Sequence, residues 1–162
     1  MKQIELTQGK FTLVDDDDFV FLSQFRWVLR EKRKNTFYAV LPFYYKMTQN
    51  TLSIQMHAVI MNVIDPDIQV DHIDGNGLNN QKNNLRLCTH QQNQFNQRLS
   101  KANSSGYKGV YWCSHRKRWI AQISINKKPK NLGGFLNKEE AAKAYNEAAI
   151  LYYGEFAKLN EI

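Results

Sequence analysis

The chain has 162 residues, 43% hydrophobic and 23% charged, which suits one or two folded domains and excludes a large multidomain enzyme or a disordered chain. Lys and Arg number 22 against 15 Asp and Glu, and the net charge of +7 points to a polyanionic partner. Two cysteines, Cys88 and Cys113, exclude a disulfide scaffold and a four-cysteine zinc site. No apolar run is long enough for a signal peptide or a membrane helix, so a cytoplasmic protein with no membrane partner is expected. The charge is uneven: residues 1–50 carry a net +2, residues 51–98 a net −1 and residues 99–162 a net +6. A basic excess confined to the last third reads as phosphate-backbone attraction.

In chain order, the first fifty residues predict short strands and one short helix. Ile4 and Leu6, then Phe11 and Leu13, alternate around a Gln8-Gly9 turn. Asp15 to Asp18 precede the apolar run Phe19 to Leu22. Consecutive carboxylates do not converge on one point, so they read as a helix start favoured by its dipole rather than as a cation site. Arg30 to Asn35 reads as a hairpin loop between the strands Trp27-Val28-Leu29 and Phe37 to Val40. The apolar stretch Ile54 to Ile64 predicts a helix that begins near Met56-His57, with His57 as a packed core residue.

After Pro66 the texture changes. Val70 to Ile73 is a short strand, Asp74-Gly75-Asn76-Gly77 a turn and Leu85 to Cys88 the returning strand. Thr89-His90-Gln91-Gln92 has the spacing of a capping box, so a helix follows and carries Asn93 and Asn96 in its first turns. Asp71 and Asn93 then offer hard oxygens suited to magnesium with several retained waters. His72 points to the opposite side of the strand from Asp71 and can serve as a general base without ligating the ion. A zinc site drawn from His57, His72, His90 and Cys88 lacks close paired spacing.

The run Val70-Asp71-His72 … Asn84-Leu85-Arg86 … Thr89 … Asn93 resembles the HNH endonucleases, with the residue spacing of their phage and intron homing branch. The resemblance implies a β-β-α-metal core in which His72 activates water and Asp71 with Asn93 holds one divalent metal on the scissile phosphate. It implies Mg2+, with Mn2+ as a substitute, and gives Asn84 the role of bracing the loop through its backbone. Asn93 stands where other branches carry histidine.

Ser100 to Ser105 reads as a linker. Three strands are then predicted, around Val110, across Arg118 to Ile125 and across Asn131 to Phe135. An Asn137-capped helix follows, with Ala141, Tyr145, Ala148, Ala149 and Tyr152 on one face. Gly106-Tyr107-Lys108-Gly109-Val110, Trp119-Ile120-Ala121, Leu132-Gly133-Gly134-Phe135, Glu140 to Tyr145 and Asn160 together resemble the APETALA2-type DNA-binding domain. That resemblance implies a sheet face in the major groove, with Lys108, Tyr111, Gln122 and Ser124 toward DNA. Arg116, Lys117 and Arg118 would meet phosphates, and Lys128 would also bind DNA.

The expectation is therefore an α+β chain: a β-rich segment (1–50), an HNH core (51–99), a linker (100–105) and a three-stranded antiparallel sheet packed on one helix (106–162). It would be a metal-dependent endonuclease of phage type that nicks double-stranded DNA, monomeric unless two chains meet on the duplex. The alternative from another class is a transcriptional regulator with a degenerate nuclease core.

Overall fold

The computed structural model describes residues 1–33, 35–45, 49–97, 99 and 103–162. They divide into two units, Met1–Asn93 and Gln94–Ile162, in a mixed α+β architecture of four small antiparallel sheets.

In the first unit, β1 (Lys2–Glu5) pairs with β2 (Phe11–Val14), because Ile4, Leu6 and Val14 all need burial on one side. Helix α1 (Asp16–Leu22) follows with three aspartates in its first turn. Strands β3 (Val28–Arg33), β4 (Thr36–Tyr45) and β5 (Asn50–Gln55) form a meander. The expected loop at Arg30–Asn35 is shorter than the charges suggested. β3 runs to Arg33 opposite Thr36; Arg30 donates to the Ser53 hydroxyl at 2.6 Å, and Lys34 lies outside the described residues. Leu22, Trp27, Leu29, Ala39 and Met56 close the core, and the buried Trp27 indole is satisfied by the Leu22 carbonyl at 2.8 Å.

The residues read separately as 1–50 and as the start of 51–99 share this core. Met56 opens the short helix α2 (Met56–Ile60), and β2 docks the loop before β7 (Leu85–Thr89) through Leu13, which exchanges backbone hydrogen bonds of 2.8 Å with Leu78 and Asn80. The acidic run has a structural task here. Asp15 accepts from the Lys82 amide at 2.8 Å and Asp18 pairs with the Lys82 ammonium at 2.9 Å, so the carboxylates hold the turn that leads into β7.

In the second unit β8 (Val110–Cys113), β9 (Arg118–Ile125) and β10 (Lys128–Phe135) form a sheet with β9 central, covered on one face by α4 (Lys138–Tyr153). Asn137 caps α4 by accepting from the Glu139 amide at 2.8 Å. Tyr153, not Tyr152, ends the buried stripe, since residues 141, 145, 149 and 153 follow one i+4 row; Tyr152 is exposed. The β9–β10 turn is two residues long, Asn126-Lys127, and both have positive φ as a type I′ hairpin requires.

The expected linker is partly fold. Residues 100–102 lie outside the described residues, but Ser105 is buried and its hydroxyl donates to the Val110 carbonyl at 2.8 Å, while Asn103 accepts from the Gly106 amide. Asn160 ties the other end of the unit to the same turn. Its side chain accepts from the Lys108 amide and donates to the Lys108 carbonyl, replacing a strand partner for that residue.

Candidate active site

Strands β6 (Ile68–His72) and β7 (Leu85–Thr89) pair with Asp71 opposite Arg86 and His72 opposite Leu85. Helix α3 (His90–Phe95) starts on the predicted capping box: the Thr89 amide donates to the Gln92 side chain at 2.9 Å, and the Gln92 amide returns to the Thr89 hydroxyl at 3.3 Å. It is six residues long, less than two turns, so Asn93 lies on it and Asn96 just beyond it.

Alternation along β6 sends Gln69 and Asp71 to one face, Val70 and His72 to the other. On the first face, Asp71 is nearly buried. Its Oδ2 takes both the Nε–H and Nη2–H of Arg86, at 3.0 and 2.7 Å, so the cost of burying a carboxylate is offset by a charged partner. The Asn93 amide donates to the Gln69 side-chain oxygen at 2.8 Å, one pleat from Asp71. Gln69 thus ties the Asn93 side chain to the face that carries Asp71. A carboxylate and a side-chain amide are hard-oxygen donors, the chemistry that a divalent ion with retained waters takes.

Between β6 and β7 the polar loop is organised by Asp74 and Asn84. Asp74 accepts from the Asn76 amide at 2.7 Å, the Asn79 side chain at 2.9 Å and the Asn84 side chain at 3.0 Å. Burial works to raise the Asp74 carboxyl, but these hydrogen bonds prevail and hold it below its ordinary value. Asn84 also accepts from the Asp74 amide at 3.0 Å and donates to the Asn79 carbonyl at 2.8 Å, so one side chain pins both ends of the loop.

On the second face of β6, His72 is buried beside Asn80 and Tyr38, which the sequence did not single out, and beside His57, which is buried as expected of a packed core residue. The His72 Nε2 lies 3.0 Å from Asn80 Oδ1, and the His57 ring stands edge-on at 4.9 Å between centroids. Tyr38 from β4 contacts both rings, and Gly77 lets the loop close over it: a Cβ there would meet the Tyr38 ring at 2.7 Å and the Phe37 carbonyl at 2.4 Å. Burial lowers the pKa of His72, against the Asn80 hydrogen bond and the Asp74 and Asp71 charges, so the ring is neutral at physiological pH. His57 is pushed down to about 3, by burial first and then by His72 and Lys32.

The sign of the His57 effect sets a pH dependence. The unfolded imidazole binds a proton near its ordinary value of 6.5, whereas the folded one resists until about 3. Stability is therefore full above about 6.5 and falls as pH drops through that window, by up to about 1.4 kcal/mol per pH unit for each such group. Denaturant midpoints between pH 7 and 4 are expected to decline, and His57→Leu is expected to flatten the decline. An unchanged slope in His57→Leu would remove His57 as its source.

The zinc alternative finds no support in the arrangement. Cys88 is buried, donates to the Gln69 carbonyl and has its thiol pushed up to about 11, by burial first and by the Asp71 charge next. Among the described residues no three His, Cys, Asp or Glu side chains are grouped to hold an ion.

Comparison with known proteins decides the family. The profile described as HNH endonuclease matches residues 63–95, which hold β6, the Asp74–Asn84 loop, β7 and α3. The chain is 35% identical to an uncharacterized HNH endonuclease of Acanthamoeba polyphaga mimivirus, over 96% of this chain and 77% of that protein.

The chain belongs to the HNH endonuclease family.

This HNH endonuclease is also 33% identical to Protein 3.8 of Escherichia phage T7, over 65% of this chain and 86% of that one. Membership makes it a DNA-cleaving hydrolase, of a kind that generally uses a divalent metal. No helix among its described residues is long and apolar enough to cross a membrane.

The residues expected at DNA lie in the second unit of this endonuclease, outside the profile match. Tyr111 faces Ile120 in the β8–β9 register, and Gln122 and Ser124 follow on the same side of β9, away from α4. Arg116 and Lys117 are exposed in the β8–β9 turn, Arg118 at the start of β9 and Lys128 at the start of β10. Lys108 does not join them. Its ammonium donates to the carbonyls of Phe95 and Gln97 at the end of α3, and burial followed by the Lys158 charge lowers it to about 8. Satisfying those orphan carbonyls takes Lys108 out of the set expected at DNA.

Proposed function

We propose that the chain is a homing-type nicking endonuclease in which the first unit cuts and the second holds the duplex. His72 removes a proton from the attacking water, and Asn84 braces the loop between the two strands. Asp71 and Asn93 would hold one divalent metal, Mg2+ or Mn2+; bound there, it supplies charge that stabilises the scissile phosphate and the leaving oxygen. One such set per chain cuts one strand, and a double-strand break needs two chains on the DNA.

The observation that carries this reading is the convergence on β6. An acid and a histidine are neighbours at its end, while Asn84 pins the loop behind them and Asn93 is tied to Gln69 beside Asp71. Supercoiled plasmid incubated with magnesium is expected to become nicked circle, and chelator is expected to stop it. Asp71→Ala, which removes the charged ligand, is expected to lose more metal-dependent activity than Asn93→Ala. Cleavage that survives chelation, or linear product without nicked circle at low enzyme, overturns the one-metal nicking reading.

The second unit supports DNA holding by charge and shape, in the manner the APETALA2 resemblance implies. The eight residues of β9 span roughly 27 Å. Basic turns stand at its two ends, Arg116 to Arg118 and Lys127-Lys128, with polar Tyr111, Gln122 and Ser124 between them. A ribbon of that form presents hydrogen-bonding groups to base edges and cations to the flanking phosphates. Replacing Arg116, Lys117 and Arg118 with Ala in the full chain is expected to weaken binding. The slope of log K against log salt should become shallower by about 2.7 if each neutralises one phosphate. An unchanged slope would mean that the turn is only a solvated surface.

A further inference from the structure

The buried hydrogen bonds behind His72 can be given directions without seeing a hydrogen. Thr12 Oγ1 lies 2.8 Å from the Leu78 carbonyl, which has no hydrogen to give, so the hydroxyl donates to it. Asn80 presents an atom at 2.8 Å from the same Oγ1; with the hydroxyl hydrogen already used, that atom must be the donating amide nitrogen. This fixes the amide orientation, and the Met56 sulfur, a weak acceptor 3.7 Å from the same nitrogen, agrees with it. Asn80 Oδ1 then faces His72 Nε2 at 3.0 Å, and an acceptor there requires the hydrogen to sit on Nε2. Thr12 and Asn80 are both fully buried, so water does not compete for these bonds.

We propose that Thr12 and Asn80 are positioning residues that hold His72 as its Nε2–H tautomer, making Nδ1 the atom that takes the proton of the attacking water. The catalytic half rests on the reading of His72 as general base. In that step an O–H bond of water breaks and its proton goes to Nδ1. Its electron pair forms the new P–O bond, while the P–O3′ bond breaks with its pair on the 3′ oxygen, which takes a proton from solvent. Asn80 Oδ1 meanwhile faces the imidazolium that forms and stabilises it through the Nε2–H bond. The first strands of the chain thus contribute to the reaction: Thr12, on β2, orients a base sixty residues away in sequence.

The test reads the tautomer directly. Two-bond proton–nitrogen spectra of full-length protein with ring-labelled histidine, with His72 assigned by its loss in His72→Gln, are expected to show a protonated Nε2 and a lone pair on Nδ1. The reverse pattern overturns the relay whatever the kinetics show. Thr12→Val keeps the shape but removes the hydroxyl, freeing the Asn80 amide to flip. It is expected to mix the tautomers and lower kcat about 10–100-fold with KM unchanged, as losses of orienting partners do. Thr12→Ser is expected to rescue both. Unchanged kcat and tautomer in folded Thr12→Val, beside an inactive His72→Gln, overturns the relay and leaves the base reading standing. An active His72→Gln beside a protonated Nε2 overturns the base reading instead, and with it the catalytic half of the proposal.

Discussion

His72→Ala is expected to lower the cleavage rate by about 10²–10⁴, the usual yield of a positioned general base, while leaving DNA affinity near that of the parent chain. The two effects separate because the role proposed for His72 is on water, whereas the cations proposed to bind phosphate lie in the second unit. His72 is buried at 5% exposure, so truncation also leaves a void among Asn80, His57 and Tyr38. Single-turnover rates for His72→Ala and for the bulkier His72→Gln distinguish chemistry from packing. Both slow and equally stable means a lost base; Ala slow but Gln near the parent rate means lost packing. Cleavage by both within a few-fold of the parent removes His72 from the mechanism.

Local signals in the sequence were sufficient for most of the β6–β7–α3 segment. The capping box at Thr89 and Gln92, the alternation through Val70 to His72 and the Asx-rich turn all act within a few residues of themselves. The Asn84 brace likewise spans only ten residues, from Asp74. What escaped notice acts over long separations. Asn80 meets Thr12 across 68 residues, and Tyr38 reaches His72 from a strand that had no evident tie to the nuclease run. Asp15 and Asp18 dock Lys82, a pairing that a run of four acids does not announce. Lys108, placed at DNA by the APETALA2 resemblance, and Ser105, placed in a linker by composition, are both consumed inside the fold. In each case the partner is one that only the tertiary fold could bring.

Gly109→Ala is expected to unfold the second unit, and the reason is steric as well as torsional. Gly109 has φ +74, where an alanine costs about 1–2 kcal/mol. Its Cβ would also lie 2.1 Å from Tyr145 Cδ2 and 2.6 Å from the Gln122 carbonyl. Tyr145 is 3% exposed and packs in the core with Ile123 and Ala149, while the Gln122 backbone donates to the Gly109 carbonyl at 2.8 Å, so neither neighbour can yield cheaply. Overpacking of this kind adds about 1–3 kcal/mol or more. A unit of 69 residues, 94 through 162, has only about 3–10 kcal/mol of stability to lose. Gly106→Ala is the matched control, because Gly106 has φ +82 but no atom within 4 Å of the added carbon. Thermal melts of both variants, followed through Trp112 and Trp119 fluorescence, are expected to show a modest shift for Gly106→Ala and loss of the transition for Gly109→Ala. Binding of the duplex should weaken with that loss, since the outer face of β9 exists only while the sheet is folded. Equal shifts in the two variants would mean that Tyr145 gives way, and the close packing of Gly109 would not be what holds β8 and β9 against α4.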